Sequence, residues 1–298
     1  MGISGLSHTL LVLLLLSSSN IAYSQIEYPQ GQPTAADADL EGLRWNRYTT
    51  DNFVILSIDN NQGRWLYQNV EKIKQLSLTR WGFPQTSEEF TQECRIFCVP
   101  DKALMKKLFG IDRPKIEVRE NVTVAWLLLD EKPAKSITPY ISQICFSEFE
   151  KWQKVELGFW FKRGASILNS GPVAARSRLE ELANNVTQDR QLFTSKKIFS
   201  FTEQEYNQET EENREIFDQE SVALCVLLRK EFGEAKLQGM LRISNKNDPE
   251  TVLNAVYGFN DYNHFDKSFV RFMRDLSGEI TKGKVPDGYL DIKAVERK

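Results

Sequence analysis

The hydrophobic period of this chain changes once, near residue 130, and that change restricts the architectures open to it. From residue 45 to there, apolar residues come in short runs bounded by turn residues, the mark of strands, with helical stretches between them. Beyond residue 137 they recur at helical spacing as far as Leu276. The expectation is an α+β fold, with a small N-terminal mixed α/β part packed on a mostly helical C-terminal part and a cleft between the two. At 298 residues and 41 % hydrophobic, the chain can build a large core in one or two domains.

Local signals place the elements. Strands are expected at 48–50 and 53–57 around an Asp51-Asn52 turn, at 94–99 before Pro100-Asp101, and over the strongly apolar 122–129. Helices are expected at 62–81, 102–109, 136–152, 157–168, 217–232, 236–243 and 265–276. Two more are opened by Pro172 after Ser170-Gly171, and by Asp248-Pro249, the latter ending at Gly258. The acidic stretch 202–213 reads as a loop or a solvated helix.

The N-terminus resembles a secretory signal. A short apolar run, Leu10–Leu16, precedes Ala22-Tyr23-Ser24, a small-x-small cleavage site, although the segment before the run lacks Lys and Arg. Seven apolar residues cannot cross a bilayer, which takes roughly 20. The organisation expected is a signal peptide over 1–24, a polar arm over 25–43, a folded region over 44–281 and a tail over 282–298. The folded region divides into an α/β part over 44–130 and a helical part over 131–281. This implies a secreted or periplasmic protein with no integral membrane segment after cleavage.

Export would place four cysteines in an oxidising setting. Cys94 and Cys98 on one strand would lie roughly 13 Å apart at about 3.3 Å per residue, too far to bridge. Buried free thiols are expected, with a pairing of either to Cys145 or Cys225 left open. A net charge of −3 gives no electrostatic reason to expect a nucleic-acid partner. Glycine-rich phosphate loops are absent from the sequence. Asn121 and Asn185 each begin a glycosylation triplet.

The site chemistry rests on two segments. Residues 137–149 read Ile-Thr-Pro-Tyr-Ile-Ser-Gln-Ile-Cys-Phe-Ser-Glu-Phe, and 160–165 read Trp-Phe-Lys-Arg-Gly-Ala. Their frame resembles the peptidase MA-like domains of the gluzincin zinc peptidases. There one helix carries His-Glu-x-x-His and a second supplies a Glu within Trp-x-x-Glu-Gly. The resemblance implies a thermolysin-type architecture over roughly 45–276. It also implies a site whose two His positions hold Ser142 and Phe146, whose general base is Gln143 and whose third ligand is Arg163. The only histidines are His8, in the signal segment, and His264, so a His2Glu zinc site cannot form. Gln143 has no usable basicity, and Arg163 offers only donors. The expectation is therefore no catalytic residue, no metal and no cofactor.

Arg163 either fills the vacated position and pairs with Asp218, Glu220 or Glu148, or lies on a solvated face beside Lys162. Cys145 with His264 as base, and Ser221, were the other candidates; each reads more simply as a packing residue. The function expected is that of an inactive peptidase-like protein binding a peptide or protein in the former cleft, by strand addition to an edge at 122–129. An exported hydrolase with a metal-independent site and a structural subunit of an envelope or extracellular assembly are the alternatives.

Overall fold

The computed structural model describes residues 38–40, 43–83, 90, 92–119, 122–129, 133–188, 192–243 and 248–281. The signal segment, most of the polar arm, Asn121 and the tail lie outside them.

The sheet has the order β1-β2-β3-β4-β6-β5. Strand β1 (Ala38–Leu40) pairs antiparallel with β2 (Leu43–Thr49), and β2 forms a hairpin with β3 (Phe53–Ser57). The hairpin turn is held from α1 (Asn60–Thr79), where the Glu71 carboxylate accepts from Thr50 Oγ1 at 2.6 Å, Asn52 N at 3.0 Å and Asn52 Nδ2 at 2.9 Å. Asp59 caps α1, accepting from Gln62 N at 2.9 Å. Helix α1 is the crossover that brings β4 (Glu93–Val99) parallel to β3. After α2 (Lys102–Phe109), β5 (Lys115–Arg119) takes the outer position and β6 (Val122–Leu128) enters between it and β4, parallel to β4 and antiparallel to β5.

The alternation of side chains across the pleat feeds two cores. Phe53, Ile55, Cys94, Ile96, Ala125 and Leu127 point to the large core shared with the helices. Leu56, Val99, Val124 and Trp126 point to a smaller one with Trp45 and Met105 of α2. Burial on both faces explains the unbroken apolar run of β6, Val-Thr-Val-Ala-Trp-Leu-Leu. It also corrects the expectation that 122–129 is an edge: this strand is interior, and the edge on that side is β5. Strand β5 was not anticipated. Its alternating Lys-Ile-Glu-Val-Arg is what a strand with one solvated face looks like.

The second half is helical: α3 (Pro133–Gln153), α4 (Phe159–Asn169), α5 (Pro172–Thr187), α6 (Ser195–Ser200), α7 (Glu203–Gln208), α8 (Glu211–Phe232), α9 (Glu234–Ile243), α10 (Pro249–Tyr257) and α11 (Tyr262–Thr281). The axis of this part is α8, buried at every position from Ile216 to Leu228 and packed by α4, α5, α9 and α11. Its crossing with α4 is close enough that a Cβ on Gly164 would meet the Ser221 carbonyl oxygen at 2.3 Å, so only glycine fits there. Within residues 202–213, which the sequence leaves between loop and helix, α7 and the first turn of α8 are helical, with Glu209 and Thr210 between them. Thr202 and Glu205 form a capping box for α7, and Thr210 accepts from Asn213 N to start α8 a turn and a half ahead of the expected 217. All four cysteines are free and buried.

Candidate functional site

A cavity of about 510 Å3 opens between the sheet edge and the helices, where the loop from α2 and the first residues of β5 face α3, α4, α7 and α8. Its wall carries Arg113, Lys115 and Ile116 on the sheet side, and Tyr140, Gln143, Phe159, Arg163, Tyr206 and Asp218 on the helical side. Each helix contributes for a local reason. Tyr140 and Gln143 are three apart on α3 and share a face. Phe159 and Arg163 are four apart on α4, which begins at Gly158. Asp218 lies on the α8 face turned to α4, and the short capped α7 presents Tyr206.

The floor is an ion pair. Arg163 donates from Nε to Asp218 Oδ1 at 2.9 Å and from Nη2 to Asp218 Oδ2, so the pair is bidentate. Nη2 also donates to the Tyr206 hydroxyl at 2.9 Å, and that hydroxyl lies 3.1 Å from Asp218 Oδ2. The guanidinium carbon stands 4.8 Å from the centre of the Tyr206 ring. Phe159, Tyr206 and Phe217 close around the pair with ring centres 5.4–5.7 Å apart. Burial, the largest influence, would lower the Arg163 pKa, but the Asp218 carboxylate together with the Tyr206 and Tyr140 hydroxyls outweighs it and the net direction is upward. Burial raises the Tyr206 and Tyr140 hydroxyls as well, so both stay protonated.

Of the three carboxylates expected as partners of Arg163, Asp218 is the one it reaches. Glu220 is two residues on, about 200° around the helix, and faces the other way. It is fully buried; Oε1 accepts from Phe193 N at 3.1 Å and Oε2 has no partner among the described residues. Glu148 lies near the far end of α3, where it accepts from Lys151 Nζ at 2.5 Å. With 14 % of its side chain exposed, Arg163 is not on a solvated face.

The four frame positions do not converge. Gln143 and Arg163 line the cavity, whereas Ser142 and Phe146 are turned into the core and are wholly buried. Ser142 Oγ lies 2.7 Å from Ser77 Oγ and accepts from Asn169 Nδ2 at 3.2 Å, and Trp81 Nε1 donates to Asn169 Oδ1 at 3.3 Å. That polar knot ties α1, α3 and α4 together. Phe146 packs against Phe83 and Phe161, with ring centres 6.2 and 5.6 Å away. A pair of positions four apart on the α3 face of Tyr140 and Gln143 falls on Pro139 and Gln143, three residues earlier than the frame. Proline has no ligating side chain and Gln143 is a poor one, so a zinc ion does not fit these residues in either register. Among the described residues, no group of three or more His, Cys, Asp or Glu is placed to hold a metal.

The remaining candidates are structural. Cys145 is wholly buried, its thiol pushed up by that burial, and its charged neighbours are Lys74, Glu71 and Glu148. His264 is exposed at the start of α11 against the Phe259 ring. Ser221 is buried inside α8. Asn185 lies within α5, donating to Gln219 Oε1 at 3.0 Å.

Reading the sequence missed Tyr140, Tyr206, Arg113 and the edge strand. Tyr140 was accessible, since it precedes Gln143 by one helical turn. Tyr206 fell in the stretch whose helices rest on caps rather than on apolar period. No protein-family model matches the chain, and no curated protein matches it in sequence.

Proposed function

We propose that this chain is an exported, non-catalytic member of the gluzincin-like scaffolds that binds an extended peptide in its cavity. The observation that carries the reading is the floor of that cavity. Where hydrolysis needs a ligated metal and a free base, Arg163, Asp218 and Tyr206 are bonded to one another. Asp218 has both oxygens engaged and cannot serve as a base, which weighs against a metal-independent hydrolase.

Peptide binding is supported by the position of β5. Among the described residues no strand pairs with its outer side, and its first residues form one wall of the cavity. An extended peptide added there would take up the unpaired main-chain groups of the edge and lie across the Arg163 floor. Val118, at 55 % exposure, offers an apolar side chain along the same edge. Among the described residues the other exposed large apolar side chains are Leu76, Trp152 and Val173, scattered over three helices, which gives a structural-subunit reading little to stand on.

Proline scanning of β5 tests this. In an antiparallel pair, alternate residues turn their N–H groups inward to the partner strand and outward. Of Ile116→Pro and Glu117→Pro, one should lower stability by breaking the ladder to β6. The other should leave stability unchanged and weaken peptide binding at least about tenfold. A fold-preserving proline that leaves binding intact would remove β5 as the docking edge.

A further inference from the structure

The donors left over in the cavity say what it accepts. Arg163 spends Nε and Nη2 on Asp218 and Tyr206, and Nη1 has no partner among the described residues. The Tyr140 hydroxyl, in the same wall, has none there either. Arg113 faces them from the sheet side and, among the described residues, donates to Asn207 alone, to its main-chain oxygen at 3.2 Å and Oδ1 at 3.4 Å. Both arginines are near enough to Tyr140 to act on its ionisation. With Asp218 neutralising Arg163 and Glu117 taking Lys115, Arg113 and Arg214 are the lining cations left without an ion pair among the described residues. The carboxylates of Asp112, Glu203, Glu211 and Glu215, which also line the cavity, belong to exposed residues, where water and salt screen them.

We infer that the cavity is a carboxylate-binding site, with Arg113, the free Nη1 of Arg163 and the Tyr140 hydroxyl as the donors. Planar guanidinium groups suit a carboxylate, and donors to an ionised acceptor form the stronger class of hydrogen bond. Within the peptide reading, on which the identity of the ligand rests, the carboxylate is either the C-terminus of the peptide or an Asp or Glu side chain.

Three N-acetylated pentapeptides separate these cases: Thr-Val-Thr-Val-Thr with a free C-terminus, the same peptide amidated, and an amidated Thr-Val-Thr-Val-Glu. N-acetylalanine and its amide serve as probes too small to pair with a strand. The titrations use the intact mature protein, read by calorimetry and by the arginine Nε resonances. Carboxylate-bearing probes should bind about tenfold tighter than the matching amides, and Arg113→Gln and Tyr140→Phe should remove most of that difference. The tighter of the two acidic pentapeptides identifies the source of the carboxylate. Equal affinities for acid and amide would overturn this inference and leave the peptide reading standing. Binding of N-acetylalanine without any pentapeptide would do the reverse, and no binding by any probe would remove both.

Discussion

Arg163 and Asp218 share a bidentate contact with little access to water, 14 % and 9 % of their side chains being exposed. Breaking such a pair strands a charge, which costs far more than replacing both partners by apolar groups. Arg163→Met and Asp218→Asn are therefore each expected to lower unfolding stability by about 3 kcal/mol, and the double variant Arg163→Met/Asp218→Leu to recover most of the loss, as read in urea titrations. Glu220 behaves differently because no cation answers it. Burial keeps its proton on in the folded chain to a higher pH than in the unfolded one, with Asp266 adding to the effect. The folded state then binds the extra proton. Its contribution to stability is full below the unfolded value near 4.5 and falls as pH rises, by at most about 1.4 kcal/mol per unit, until the folded pKa is passed. Glu220→Gln should flatten that decline and raise the melting temperature at pH 8 relative to the parent. An unchanged pH profile would show that Glu220 is already ionised.

Elements were legible where apolar period and capping residues agree, as in α1, α2 and α10. Strand β5 escaped because five alternating residues carry little signal, and β6 was misplaced because an apolar run was read without its consequence, burial on two faces. The site was legible in part. The resemblance points to Arg163 and leaves a carboxylate partner or a solvated face open; which carboxylate it meets depends on the rotation of α8, and two residues along that helix reverse the face. Likewise Ser142 and Gln143 are neighbours in sequence, yet one enters the core and the other the cavity. The α4–α8 crossing is a firm constraint at this scale. Gly164→Ala should lower stability by 2 kcal/mol or more, about the cost of overpacking against a backbone carbonyl that cannot move aside. Gly110→Ala, where a Cβ meets nothing within 4 Å, should be limited to the smaller cost of a left-handed backbone at φ 70°.

For the whole molecule, one core runs from the sheet through the helices, and the cavity lies at the edge where sheet and helices part. No described helix is long and apolar enough to cross a membrane. Arg163, Asp218 and Tyr206 are bonded to one another on the cavity floor, and the reading of the chain as non-catalytic rests on that set. Elemental analysis of the purified protein, with a peptide-cleavage assay on the same sample, tests it most directly. The account predicts zinc at background level and no cleavage, with or without added zinc. Stoichiometric zinc whose removal by a chelator abolishes cleavage would contradict it.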